Sequence, residues 1–323
     1  MRKVLPGDAV IPSRRQAPLG LNPDSDRRRP LWVHGDPSVL RLPAIGIVGT
    51  RQPSAHGLAA TRAIAATCVA EGWLVVSGAA RGIDEAAHAA ALSAGGRTIG
   101  VLPSPAPGGL RRGARRLGDK IVSAGALVSD RPPGTPSAAW SFVARNSLLA
   151  ALTDGLIVVE APEGSGALIT AEAASDFGLP LAFVTAPYGA KSAAGGLSWL
   201  VRATAPTLLP PELPSPQLLL DDHGLRAWLG VCAASLREDG DVRAPQNPLP
   251  TAAPTPGGLR GLILLALGRA GAAGLTEGDL LVVSEGVEEA LPSALTLLAL
   301  QGLAEQRGGR WRVCEGAVLR SRA

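Results

Sequence analysis

From Ala44 onward the chain alternates short, mostly apolar runs with longer, largely Ala-rich stretches that also carry polar residues. The runs Ala44–Val48, Leu74–Ser77, Thr98–Leu102, Ala126–Ser129, Leu156–Glu160 and Leu181–Val184 have the length and β-branched content of buried strands. Between them Leu58–Glu71, Ile83–Ala94, Leu117–Ala124, Ala138–Leu152 and Ala167–Phe177 read as helices. A last helix is expected near Leu197–Ala203, with a short extended piece near Thr207–Leu209. Strands alternating with helices of this length build βαβ units with right-handed crossovers. The pattern therefore predicts an α/β fold, a Rossmann-like doubly wound parallel sheet over residues 44–209. No internal repeat is found.

The flanks break this rhythm. Residues 1–43 form a basic N-terminal arm and lead-in, whose first 30 residues are rich in Pro and Arg and are expected to be mobile. Arg27-Arg28-Arg29 either touches a polyanion or is simply solvated. Residues 210–258 carry Pro210, Pro211, Pro214, Pro216, Pro245, Pro248, Pro250, Pro254 and Pro256, and read as a semi-rigid linker with one possible helix around Leu218–Ala234.

Residues 259–323 carry a second pattern. Helices are expected at Leu259–Arg269, from Leu275-Thr276-Glu277 with Thr276 as N-cap, and at Val287–Gln301. Leu303–Gln306 and Arg310–Val313 then flank Arg307-Gly308-Gly309 as a hairpin. Three helices and a hairpin predict a small winged-helix domain. Its third helix holds Glu288 and Glu289 and no Arg or Lys, so it is expected to contact protein rather than DNA.

Composition adds bounds. With 323 residues and 46% hydrophobic content the chain can bury the cores of about two domains. A net charge of +4 does not by itself mark a nucleic-acid binder. The excess lies in the arm and the first domain, with 8 Lys+Arg against 4 acids over 1–43 and 13 against 10 over 44–209. Cys68, Cys232 and Cys314 are far apart, and His34, His56, His88 and His223 form no ligand cluster, so neither a disulfide nor a metal site is expected, nor any cofactor. No apolar run approaches the ~20 residues of a membrane helix, and the N-terminus lacks a secretory core. A cytoplasmic protein with no membrane partner is the expectation.

Candidate chemistry sits in three loops, each leaving a predicted strand and entering a predicted helix. They are Gly49-Thr50-Arg51, Ser77-Gly78-Ala79-Ala80-Arg81-Gly82-Ile83-Asp84 and Gly164-Ser165-Gly166-Ala167-Leu168-Ile169-Thr170. In a parallel sheet such loops share the carboxyl edge, where open α/β folds bind ligands. Gly, Ser and Thr before a helix leave N–H groups facing an anion. The first turn lacks the Gly-x-Gly-x-x-Gly dinucleotide fingerprint and carries Arg51 instead. Arg51 reads either as a surface residue or as a phosphate fork. Arg81 points to the same edge, while Asp84 reads as a helix-end or arginine partner, and His88 as a helix-surface residue. Glu160, Glu163 and Glu172 could serve a general base or only helix ends.

A fourth element, Trp140-Ser-Phe-Val-Ala-Arg-Asn146, places Phe142 beside Arg145 and Asn146. Aromatics are scarce here, so this is either a stacking platform for unpaired bases or core filling. Arg111, Arg112, Arg115, Arg116 and Lys120 could track a nucleic-acid backbone or form a solvated helix face.

The succession GTR, SGAARGID, GGRTIGVL, GALVSDRPPGTP, FVARN and EGSGALITA resembles the DNA-processing protein A (DprA/Smf) family of bacteria, over about residues 31–205. The resemblance implies an extended Rossmann fold followed by a winged helix. It also implies a non-catalytic, homodimeric protein that binds single-stranded DNA and loads the RecA recombinase during natural transformation. Matched positions place Arg51, Ser77, Gly78, Arg81, Phe142, Arg145, Asn146, Ser165 and Gly166 in the pocket, to which the loop reading adds Gly49, Thr50 and Thr170. Gly95-Gly96-Arg97 matches another family segment, with Arg97 read as structural. The sequence departs from the family at Pro103–Gly109, at Ser147 in place of a third basic position, and at Val184-Thr-Ala-Pro187. The rival reading is a nucleotide-processing enzyme like the lysine-decarboxylase-like phosphoribohydrolases, with Glu172 as its acid, although the Pro-Gly-Gly-x-Gly-Thr motif of that group is not matched.

Overall fold

A computed structural model describes residues 30–105, 110, 114–136, 139–203 and 215–238, with parts of 1–15 and of 263–314. The chain divides into two compact units, Met1–Asp241 and Val242–Ala323.

The first unit is built on one nine-stranded sheet. Its strands are β1 (Arg2–Val4), β2 (Leu31–Gly35), β3 (Ala44–Val48), β4 (Leu74–Ser77), β5 (Thr98–Val101), β6 (Ala126–Ser129), β7 (Gly155–Val158), β8 (Leu181–Val184) and β9 (Gln217–Leu219), in spatial order β1-β2-β6-β5-β4-β3-β7-β8-β9. Strands β3 to β9 run parallel, and β2 and β1 close one end antiparallel. All six expected strands are present within two residues, and so, within three, are helices α1 (Ala55–Ala70), α2 (Ile83–Ser93), α3 (Arg115–Ala124), α4 (Ala139–Ala151), α5 (Gly166–Asp176) and α6 (Ala194–Ala203). Helix α7 (Asp222–Glu238) follows β9.

Every residue of β3 to β8 is buried, because helices cover both faces. One face packs Val48, Val76, Leu149, Leu156 and Phe183 together. The other packs Ile47, Ile64, Trp73, Ile83, Ile157 and Trp228. The strand order reverses between the neighbours β3 and β7, whose register runs from Ile45↔Gly155 to Val48↔Val158. Crossovers leave these two strands in opposite directions, so their carboxyl ends open a crevice.

Two expectations about the flanks are corrected. Part of the supposedly mobile arm is folded: Arg2–Val4 pairs with β2, Val4 and Ile11 join the core, and Arg15 is 1% exposed. The Arg15 guanidinium meets Asp154 at 2.6 Å and donates to the carbonyls of Leu40 (2.8 Å) and Leu42 (2.9 Å). An isolated core cation among prolines leaves no periodic signal. Arg27-Arg28-Arg29 lies outside the described residues. The linker also begins later than the prolines suggest. Gln217–Leu219 extends the sheet beside β8, and α7 sends Trp228 and Cys232 into the core. The piece near Thr207–Leu209 lies outside the described residues.

In the second unit, helical positions at Ile263, Ala266, Leu267 and Ala270 precede α8 (Glu277–Val283), α9 (Leu291–Leu300) and the hairpin β10 (Ala304–Arg307) and β11 (Arg310–Val313). Gly308 and Gly309, at φ 58° and 74°, supply the two left-handed positions a two-residue hairpin turn requires. Thr276 caps α8, its hydroxyl accepting from Asp279 N at 3.1 Å while its own N–H donates back to Asp279 Oδ2 at 2.8 Å. Ile263, Leu267, Leu280, Leu295, Leu298 and Trp311 form the small core. Glu288 and Glu289 lie outside the described residues. Among the described residues no helix is long and apolar enough to cross a membrane.

Candidate nucleic-acid interface

The loop after β3 is held from two sides. Thr50 N donates to the Glu160 carbonyl at 2.7 Å, and Ile83 N donates to the Thr50 carbonyl at 3.2 Å. A Cβ at Gly49 would stand 2.6 Å from Ile83 and 2.9 Å from the Glu160 carbonyl, so the strand end needs glycine to let these neighbours close in. Thr50 is therefore buried, its hydroxyl accepting from Gln52 N at 3.2 Å. Arg51 is exposed, and its guanidinium lies 5.9 Å from the ring centroid of Phe142, itself 40% exposed.

The loop after β4 rests on buried polar contacts. Ser77 is fully buried and donates to the Ile47 carbonyl at 2.6 Å, so its hydroxyl fastens β4 to β3 instead of facing a ligand. Ala79 takes a left-handed φ of 54° and Gly82 a φ of 95°, and a Cβ at Gly82 would stand 2.4 Å from the Thr50 carbonyl. The β4 loop thus lies directly against the β3 loop, with Arg81 exposed beside it. Asp84 and Arg145 are both buried, with Arg145 Nη1 3.7 Å from Asp84 Oδ2. Burial pushes the Asp84 carboxyl above its usual range, against the pull of Arg145. A Cβ at Gly78 would fall 1.3 Å from Arg145 Nη1 and 2.5 Å from its Cζ, so the Nη1 end of the guanidinium fills the space a side chain there would need.

Helix α4 supplies Phe142, Arg145 and Asn146, and Asn146 Nδ2 donates to the Gly166 carbonyl at 3.1 Å. Ser165 is the N-cap of α5, its hydroxyl accepting from Ala167 N at 3.3 Å. Gly166 is exposed at that helix start, and Thr170, 1% exposed, turns its hydroxyl back to the Gly166 carbonyl at 3.4 Å. Of the expected pocket residues, Arg51, Arg81, Phe142 and Gly166 are exposed. Ser77, Thr50, Arg145, Asn146 and Thr170 are buried supports for the loops.

Glu160, 1% exposed, takes the second of the two roles expected for it, at a helix end, but across the crevice at α1. Its carboxylate accepts from Ser54 N (2.9 Å), Ser54 Oγ (2.5 Å) and Ser192 Oγ (3.1 Å), at the start of α1. The signal was Ser54 as an N-cap three residues before Gly57, whose Cβ would collide with that carboxylate. Glu172 is half-buried and already engaged. His88 is not on the helix surface. It is fully buried, with Nδ1 2.7 Å from the Thr98 hydroxyl, which itself donates to the Val75 carbonyl. Burial pushes its pKa down to about 4. Arg97 pairs with Asp36 and with the Ala124 carbonyl, in the structural role expected of it. Arg115, Arg116 and Lys120 are exposed on α3, while Arg111 and Arg112 lie outside the described residues. Among the described residues no cluster of His, Cys, Asp and Glu could hold a metal ion.

The family described as DNA recombination-mediator protein A has a sequence model that matches residues 8–212. The chain belongs to this family. Its curated relatives include the DNA processing protein DprA of Bacillus subtilis, 38% identical over 174 residues that cover 53% of this chain and 59% of that protein. The putative DprA of Mycobacterium tuberculosis is 33% identical over 277 residues, covering 84% and 64%. The chain spans less than two thirds of the length of these relatives. The X-ray structure of DprA from Streptococcus pneumoniae superposes with a TM-score of 0.60 at 26% identity, over 70% of this chain and 73% of that one. DprA from Helicobacter pylori, whose structure addressed its single-stranded DNA binding mode, shares the fold with a TM-score of 0.53 at 24% identity, over 71% and 94%. The family match begins inside the N-terminal arm, in keeping with the folded part of that arm, and covers the three loops and helix α4.

Proposed function

We propose that this chain is a single-stranded DNA-binding protein of the DprA/Smf type, acting by binding and not by catalysis. The observation that carries the reading is the pairing of the exposed Arg51 guanidinium with the half-exposed Phe142 ring at the sheet's switch point. An aromatic face accepts an unpaired base whatever its identity, and a guanidinium fork suits the adjoining phosphate. A base inside a duplex is stacked on both sides and has no free face to offer. Arg81 and the exposed N-terminus of α5 at Gly166 extend the phosphate contacts, and the α3 cations Arg115, Arg116 and Lys120 add long-range attraction. Family membership supports a part in DNA uptake, natural transformation and recombination, with RecA as the recombinase loaded and a cytoplasmic homodimer as the working form. The second unit acts as a winged helix that contacts protein.

The test is a titration of labelled oligonucleotides followed by fluorescence anisotropy, single against double strands, at two salt concentrations. Tighter binding of the single strand, weakening steeply with salt, is expected. Affinity that ignores strand state, or that survives Arg51→Ala with Arg81→Ala, overturns the pocket.

A further inference from the structure

We propose that Glu160 is a built-in anion that keeps phosphate monoesters, such as free mononucleotides, off the edge on which the DNA reading relies. In open α/β sheets the helix leaving the switch-point strand is the usual phosphate seat, because its first N–H groups are unpaired and its dipole attracts negative charge. Two helices leave the switch-point strands: α5 keeps its start exposed at Gly166, and α1 has no acidic residue of its own in its first turn. The seat at α1 is taken from across the crevice. Glu160 leaves β7, lies 1% exposed, and draws both Ser54 N and Ser54 Oγ onto its two oxygens. Ser192 Oγ adds a third donor, and the Glu160 main-chain carbonyl holds Thr50 N. The space is shaped for this guest: a Cβ at Gly57 would lie 2.4 Å from Glu160 Oε2.

A free phosphate approaching the start of α1 meets the Ser54 and Ser192 donors already committed, Gly57 N turned to Ser54 Oγ, and a carboxylate in the place of an attractive field. Discrimination of this kind comes from an unfavourable element set against the competitor. The cations left for ligand, Arg51 and Arg81, stand on two different loops, and a polymer with successive phosphates can reach both. A monoester offers one phosphate and loses the seat at α1. Glu160 is thus a specificity-determining residue that favours strand over nucleotide.

The experiment compares the full chain with Glu160→Ala, which vacates the seat, and Glu160→Gln, which keeps the shape without the charge. Thermal unfolding is followed in potassium phosphate and in potassium chloride of matched ionic strength. For a vacated seat with a Kd of about 1 mM, about 10 mM phosphate favours the folded state roughly tenfold. The expected result is that gain in Glu160→Ala, a smaller gain in Glu160→Gln and none in the unaltered chain. In the second arm AMP displaces a labelled single strand from Glu160→Ala and not from the unaltered chain. Absence of a phosphate gain in both variants overturns the inference, as does displacement by AMP from the unaltered chain. Should Glu160→Ala not fold, Glu160→Gln decides alone. The first arm uses no DNA, so failure of the unaltered chain to bind oligonucleotide counts against the DNA reading only.

Discussion

Gly78 has no side chain because Arg145 occupies the space: a Cβ there would sit 1.3 Å from Arg145 Nη1 and 2.7 Å from Asp84 Oδ2. Gly78→Ala is therefore expected to drive the guanidinium off Asp84. Splitting a buried ion pair costs about 3–5 kcal/mol. Urea denaturation should show a loss of that order, and the β4 loop should bind oligonucleotide more weakly. Combining Gly78→Ala with Arg145→Ala empties the space the new methyl needs, so the double variant should lose less than the sum of the two single losses.

Arg51 and Phe142 touch but should fail differently. Arg51→Ala removes a phosphate partner, which lowers the slope of log affinity against log salt by about 0.7 for a single strand. Phe142→Ala removes a stacking face worth about 1–3 kcal/mol per base and should leave the slope alone. Oligonucleotide titrations at several salt concentrations separate the two. Equal slopes for Arg51→Ala and the unaltered chain would show that Arg51 meets no phosphate.

His88 predicts an acid-side loss of stability. Its imidazole has an ordinary pKa of 6.5 and a folded value of about 4, lowered by burial and by the nearby Arg145 charge, against the Ser77 carbonyl. Between these values the unfolded chain binds the extra proton, so stability is full above about pH 6.5 and falls as pH drops toward 4. At 1.36 kcal/mol per pK unit the loss is about 3 kcal/mol. Asp84, raised by burial, works in the opposite sense: its contribution is present below the usual carboxylate range and is lost as pH rises through its raised value. Denaturation curves between pH 7 and pH 4 should show the fall, and His88→Gln should flatten it.

The boundary drawn from the prolines can be tested directly. A chain ending at residue 209 would strip β9 from β8 and remove Trp228, 1% exposed, from the core. Losing one such large side chain costs about 3–5 kcal/mol. Residues 1–238 are expected to stay soluble and unfold cooperatively, while residues 1–209 aggregate.

The first domain was readable because strands buried on both faces leave uninterrupted apolar runs, as in Ala44–Val48 and Leu181–Val184. The three loops were readable because glycine before a helix marks either a close approach, as at Gly49 and Gly78, or an open helix start, as at Gly166, where a Cβ would meet only Asn146 Nδ2 at 3.8 Å. Residues that act through distant partners were not readable. Arg15 resembled every other arginine of a basic arm until Asp154 stood 2.6 Å from it, 139 positions along the chain. Ser77 and Thr170 carry the same hydroxyls whether they face a ligand or a neighbouring carbonyl, and only the packing around them distinguishes the two. His88 was misplaced because α2 is covered on more than one side, so a polar residue in it does not mark the solvent face.

Hydrogen bonds tie the sheet edge together: Thr50 to Glu160 and Ile83 to Thr50 between loops, and Asn146 of α4 to Gly166 at the start of α5. Loops tied in this way move as one body or not at all, so the edge has little freedom to mould itself around a guest. The guest has to do the bending. A single strand, whose backbone torsions turn freely, can follow a fixed line of contacts. A stiff duplex cannot, so on the proposed DNA reading a preference for the single strand is in part a mechanical property of the site, set before any base or phosphate has been read.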